Sequence, residues 1–281
     1  MRESSADRDR NGEIPFKPAA KAAILCAGAR PTAKGHVHMS EQIHGSPDGL
    51  VNFRDLGGLP ADNGVTTRSG VLYRGDAPYA GDTPPEGAEQ WPPSVVIDLR
   101  DTDAESDVVH PLDSTSTVHR VPILEGLRDE SGEDPWLTLD ELYAYMVRHA
   151  PKRLLEVFRI AVEADGPVLI HCAAGKDRTG VACALLLRAA GVRHDAIVSD
   201  YVRTDHNMYR VLQRLRVAPA LPPGVDEADV NDLISAPGEA IEHALELVDS
   251  AEGGAAGWLL EQGATVEELD RWRRRFLESA V

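Results

Sequence analysis

The chain has only three cysteines, Cys26, Cys172 and Cys183, among 281 residues. No spacing between them fits a zinc site or a disulfide framework, and so few thiols suit a reduced compartment. No apolar run approaches the ~20 residues that a membrane-spanning helix needs, so no integral membrane association is expected. Positive charge is scarce too. Lys and Arg number 29 against 46 Asp and Glu, a formal charge of −17. Such a surface repels nucleic acid and anionic membranes on average. There is no internal repeat. The length allows one large domain or two small ones.

Residues 1–45 read as a poorly ordered leader and residues 46–281 as the folded domain. The leader opens with the polar run MRESSADRDRNGE. Its one apolar stretch, AAKAAILCAGA, is interrupted by Lys21 and preceded by acidic residues, unlike a signal peptide. Bulky Leu25 before Cys26 does not suit a lipoprotein cysteine. A cytoplasmic location is therefore expected over secretion, and Met39 is an alternative start.

What is there centres on PVLIHCAAGKDRTGVACALLLRAAG, residues 167–191. Pro167-Val168-Leu169-Ile170 reads as a buried strand. Thr179 to Leu187 is an apolar, helix-compatible run ending near Gly191. A strand that turns into a helix through small residues aims several backbone N–H groups at one spot. The positive end of the helix dipole points there too, which makes an anion cradle. Ala173, Ala174, Gly175, Lys176, Thr179 and Gly180 are the candidate phosphate-binding positions. Cys172 opens the loop, and converging amides favour the thiolate, the nucleophilic form. Arg178 closes it, with a planar fork that grips two phosphoryl oxygens. Thr179 can donate to the sulfur, His171 can orient the loop, and Lys176 adds positive charge at the rim. Cys183, in the apolar helix, reads as a buried structural thiol.

HCAAGKDRTG resembles the active-site signature of the cysteine-dependent protein tyrosine phosphatases, in the bacterial form with tyrosine, dual-specificity or phosphoinositide activity. The resemblance extends to NFRDLGG (52–58), LYRGDAP (72–78), VIDLRD (96–101) and DYVRT (200–204). It implies phosphate-monoester hydrolysis through a phosphocysteine, on a phosphorylated protein or small phosphoester, without metal or cofactor. It implies that the Arg54-Asp55 segment packs beside the catalytic loop. It also suggests Asp177 as general acid, whereas animal tyrosine phosphatases use an aspartate on a separate movable loop. Glu125, Asp76 and Asp101 stay open as remote acids. A phosphoinositide phosphatase and a non-catalytic phosphate-binding module are the alternatives; a rhodanese-type sulfurtransferase gives no reason for Gly175-Lys176-Asp177-Arg178-Thr179.

The rest of the chain alternates strands with helices. Val65–Arg68 and Gly70–Arg74 read as a β-hairpin with Ser69-Gly70 at its turn. Residues 79–93 form a loop with one helical turn near Glu86. Val95–Arg100 and Thr117–Ile123 read as strands, and Glu125–Asp134 as an acidic loop or lid. Helices are expected from Thr138, from Pro151, and over 194–203, 208–217, 225–235 and 238–250. A last one begins at Thr265, capped with Glu268. Trp258 and Trp272 read as core. The fold class is α/β: a central, mostly parallel sheet of four or five strands flanked by helices, with extra C-terminal helices.

Overall fold

The structure is a computed structural model that describes residues 49–101, 109–125, 138–215 and 235–278. The expected leader, most of the acidic loop after Glu125 and nearly all of the helix expected over 225–235 lie outside these residues.

Five strands form one sheet in the order β1-β2-β5-β3-β4: Arg54–Asp55 (β1), Leu72–Gly75 (β2), Val95–Asp98 (β3), Thr117–Arg120 (β4) and Val168–His171 (β5). All pairings are parallel except the antiparallel β1/β2 edge. Strands β2, β3 and β5 are buried at every position: helices cover one face, and Leu50, Phe53, Trp91 and Leu112 pack over Tyr73, Val96 and Leu169 on the other. The hairpin expected over residues 65–74 is not formed. The antiparallel partner of β2 is Arg54–Asp55, while Thr66 and Thr67 make isolated bridges to Pro60 and Leu277. Residues 79–93 contain turns and no helical turn at Glu86.

Eight α-helices lie among the described residues: Leu139–His149 (α1), Pro151–Glu163 (α2), Asp177–Ala190 (α3), His194–Val202 (α4), Asp205–Arg214 (α5), Gly238–Asp249 (α6), Gly254–Gln262 (α7) and Val266–Phe276 (α8). Their ends follow local chemistry. Thr138 with Glu141, and Thr265 with Glu268, form reciprocal capping boxes. Pro151 sits at the first turn of α2, where its missing N–H costs nothing. Gly191 ends α3 in the left-handed region at φ +93°.

Helix α3 is the hub. It is buried almost throughout and packs against α1, α4, α6, α7 and α8. One apolar cluster joins the sheet to these helices, including Trp258, Trp272 and Phe276. Trp272 is fully buried, stacks on Phe276 at 4.8 Å and donates from Nε1 to the Leu186 carbonyl at 2.9 Å. Truncating such a buried ring typically costs ~3–5 kcal/mol. The C-terminal helices thus hold α3 from behind. Among the described residues, no helix is long and apolar enough to cross a membrane.

Candidate active site

β5 is the central strand, and Cys172 follows its carboxyl end. Ligands of parallel sheets gather at such ends. The loop from Cys172 to Lys176 is shaped by what its carbonyls do. The Cys172 carbonyl accepts from His171 Nδ1 at 3.0 Å. The Ala173 carbonyl accepts from the Ala77 amide at 3.0 Å. The Ala174 carbonyl accepts from Asn52 Nδ2 at 2.9 Å, and that of Gly175 from Arg74 Nη2 at 2.9 Å. The Lys176 carbonyl accepts from the Gly180 amide at 2.8 Å. Five consecutive carbonyls are thus engaged. Among the described residues, the amides of Ala173, Ala174 and Gly175 donate to no protein acceptor. Their N–H groups, with the start of α3, remain for an anion. Gly175 is obligatory here. Its φ is +71°, and an added Cβ would lie 2.4 Å from the Gly75 carbonyl oxygen.

Two expectations drawn from the sequence change in this loop. The Gly180 amide is spent inside α3, so it is not a phosphate donor. Its small size instead admits Tyr201, whose ring would come within 2.9 Å of a Cβ at this position. Lys176 is buried rather than at an open rim. Its Nζ donates to the Ser235 carbonyl at 3.1 Å and lies 3.6 Å from Asp177 Oδ1. Thr179 Oγ1 is buried without a hydrogen-bond partner among the described residues.

Arg178 is held by Asp101, Nη1 to Oδ2 at 2.6 Å, and Asp101 Oδ1 accepts from the Leu124 amide at 3.1 Å. Both Asp101 oxygens therefore accept hydrogen bonds, which suits an arginine brace and not a proton donor. Asp76 is excluded on the same ground. Its Oδ1 accepts from the Val51 and Asn52 amides and its Oδ2 from Arg214 Nε. Glu125 is half exposed and pairs with Arg153 at 2.9 Å. Asp177 differs. Tyr143 donates to its Oδ1 at 2.8 Å, while Oδ2 accepts from no described residue.

Arg54 and Asp55 do not act as a pair, because neighbours on a strand face opposite sides. Asp55 accepts from the Gly57 and Gly70 amides at 2.9 and 2.7 Å, closing a turn. Arg54 reaches Asp200 instead, Nε to Oδ1 at 2.7 Å, and Arg74 Nη1 meets Asp200 Oδ2 at 2.8 Å. Burial opposes ionisation of Asp200, yet Arg74 and Arg54 outweigh it and keep the carboxyl below its ordinary range. Burial, then Arg74, lowers Arg54 to about 10. Asn52, Arg74 and Asp200 thus form a frame behind the loop that the sequence did not single out residue by residue. Their only sequence signal was membership of the NFRDLGG, LYRGDAP and DYVRT segments. Cys183 is fully buried, and burial pushes its thiol up to about 12, consistent with a structural role.

His110 carried no sequence signal at all. The Leu112 amide donates to its Nδ1 at 3.2 Å, so the proton is on Nε2. That proton points to His171 Nε2, 3.1 Å away, and His171 then carries its own on Nδ1 for the Cys172 carbonyl. Asp98, His110 and His171 are the one group of three metal-ligating side chains close together among the described residues. Hydrogen bonds already account for both rings, and Arg100 forks onto Asp98. The relay works with both rings neutral. Burial and the neighbouring His171 lower His110 to about 3, and burial also lowers His171. The unfolded chain, with histidines near 6.5, therefore binds more protons than the folded one between about pH 6.5 and 3. Stability must fall as pH drops through that window, by at most ~1.4 kcal/mol per pH unit for each histidine. Denaturant unfolding between pH 7.5 and 5 should show this slope, and His110→Asn should flatten it. Equal slopes in both proteins would contradict the neutral relay.

A cysteine at the carboxyl end of the central parallel strand, a loop with amides left free and a braced arginine at its far end form a candidate anion-binding site. Residues 46–278 match the tyrosine phosphatase family, and the chain belongs to that family. It is 30% identical over 194 residues to the triple specificity protein phosphatase PtpB of Mycobacterium tuberculosis, covering 63% of this chain and 69% of that protein. It is 34% identical over 145 residues to a tyrosine-protein phosphatase of Nostoc commune, about half of each chain. The crystal structure of TpbA from P. aeruginosa aligns with a TM-score of 0.34 at 20% identity, covering 55% of this chain and 84% of that one.

Proposed function

We propose that this chain is a protein tyrosine phosphatase that works through a phosphocysteine on Cys172, with residues 46–281 as its catalytic unit. The observation that carries this is the set of five engaged loop carbonyls, from Cys172 to Lys176, which leaves amides beside the thiol for the phosphoryl oxygens. The thiolate attacks phosphorus, and the bond from phosphorus to the leaving oxygen breaks. The leaving oxygen keeps the electron pair and takes a proton from Asp177. Water then attacks the phosphocysteine and gives its proton to the Asp177 carboxylate. The thiolate departs, and inorganic phosphate is released. Arg178 and the loop amides stabilise the charge on the equatorial oxygens, where most catalysis in phosphoryl transfer lies. A reduced, cytoplasmic setting suits the free thiols of Cys172 and Cys183.

Asp177 is the acid of choice because Oδ2 is the oxygen left to carry a proton. Protonating a leaving group is worth ~10²–10⁴-fold, most for a basic alkoxide and least for nitrophenolate. Asp177→Asn should therefore slow phosphoserine peptide or phenyl phosphate far more than para-nitrophenyl phosphate. Glu125→Gln should leave that ratio unchanged. The reverse pattern would assign the acid to Glu125. Because triple specificity stands in the name of the M. tuberculosis relative, phosphoinositide should be assayed beside phosphotyrosine and phosphoserine peptides. The −17 charge favours the peptides over an anionic lipid surface.

A further inference from the structure

Behind Asp177 lies a pair of tyrosines to which the mechanism above gives no part. Tyr143 on α1 and Tyr201 on α4 are both buried, with rings edge to face at 6.2 Å. Their hydroxyl oxygens lie 2.5 Å apart, and the Tyr143 oxygen is 2.8 Å from Asp177 Oδ1. We propose that Tyr143 and Tyr201 are positioning residues for the general acid: the pair fixes Asp177 so that Oδ2 delivers and recovers the catalytic proton. The inference rests on Asp177 being that acid.

Each phenol has a single proton, and this sets the direction of the chain. An ionised Asp177 can only accept, so Tyr143 spends its proton on Oδ1. Tyr201 must then donate to the Tyr143 oxygen. Burial, the Asp177 carboxylate and Tyr201 hold the Tyr143 phenol well above its ordinary range, and burial raises Tyr201 as well. Both therefore stay donors at working pH. Lys176 Nζ lies on the Oδ1 side too, at 3.6 Å. With Oδ1 occupied, the proton that Asp177 gains from water goes to Oδ2. Without the tyrosine, the carboxyl group can turn and present either oxygen, or neither. Tyr201 reaches this point because residue 180 is glycine. Residues of three helices, α1, α3 and α4, thus converge around one carboxyl group.

The test is a double-mutant cycle on the full chain, read as kcat and KM for phenyl phosphate and para-nitrophenyl phosphate. Tyr143→Phe keeps the ring and removes the donor. It should lower kcat on phenyl phosphate by ~10- to ~10²-fold, the scale of a misplaced catalytic group. KM should change little, and the loss on para-nitrophenyl phosphate should be much smaller. In an Asp177→Asn background the same substitution should add less than about 2-fold, since groups acting through one another are not additive. Equal losses on both esters, or the same added loss in the Asp177→Asn background, would overturn the proposal. If Asp177→Asn itself shows no leaving-group dependence, the general-acid assignment fails, and the proposal with it. If Asp177→Asn is selective and Tyr143→Phe is not, only the proposal fails. Should Tyr143→Phe not fold, Tyr201→Phe removes the donor behind it. It should give the same selectivity with a smaller loss, and an unselective loss there would also overturn the proposal.

Discussion

Cys172→Ser is expected to reduce turnover of every phosphoester by ~10⁴-fold or more, the scale seen when a catalytic nucleophile is removed. An alkoxide is not available at neutral pH in the way a thiolate is. The substituted protein should still bind phosphate. Its loop carbonyls are tethered by His171, Ala77, Asn52, Arg74 and Gly180, and none of these contacts uses the sulfur. Arg178 remains braced by Asp101. Arg178→Lys should lose both turnover and binding, because an ammonium cannot make the paired contact. Titration with inorganic phosphate, followed by calorimetry, separates the two cases. Near wild-type turnover by Cys172→Ser would remove the nucleophile assignment. Loss of phosphate binding in that variant would mean that the cradle depends on the thiolate.

Asp200→Ala should be the most destabilising single change in the frame. The carboxylate is buried between two buried guanidinium groups, and its backbone carbonyl also accepts from Arg54 Nη2 at 2.9 Å. Removing one partner of a buried ion pair leaves uncompensated charge and costs ~3–5 kcal/mol. At ~2–4 °C per kcal/mol for a chain of this size, the Tm should fall by roughly 6–20 °C. Turnover should fall too, because Arg74 then loses the partner that aims it at the Gly175 carbonyl. Asp195 offers the control. It also pairs with an arginine, Arg193, at 2.7 Å, but on the surface, where such pairs contribute little. Asp195→Ala should unfold at the wild-type temperature. A Tm for Asp200→Ala within a degree of wild type would refute the frame as a stabilising unit.

Local chemistry was legible in the sequence, and distant pairing was not. β5, the turn after it and α3 can be read from a short apolar run, a small-residue loop and a helical run. The cap at Thr265 is legible for the same reason: donor and acceptor lie three residues apart. The hairpin expected at 65–74 failed because the β2 edge pairs with Arg54–Asp55, a choice made by packing and not by the Ser69-Gly70 turn. Lys176 looks solvated by type, but its stem is buried and its amine is drawn to Ser235. Tyr143 fits the apolar face of an amphipathic helix equally well as a core ring or a hydrogen-bond donor. Nothing local distinguishes the two. Asp200 is one acidic residue among 46 Asp and Glu until the fold brings two arginines to it.

The tethers of the loop have a consequence for how the enzyme comes into being. Asn52 meets Ala174 across 122 positions, Arg74 meets Gly175 across 101, and Arg54 meets Asp200 across 146. These are contacts of high sequence separation, which form late because the loop they close must first lose its entropy. A nascent chain that has emerged only as far as residue 190 holds Cys172, Asp177 and Arg178. It lacks the carboxylate that aligns Arg54 and Arg74. The two arginines behind the loop therefore gain their shared carboxylate only when the chain beyond α3 has joined the fold.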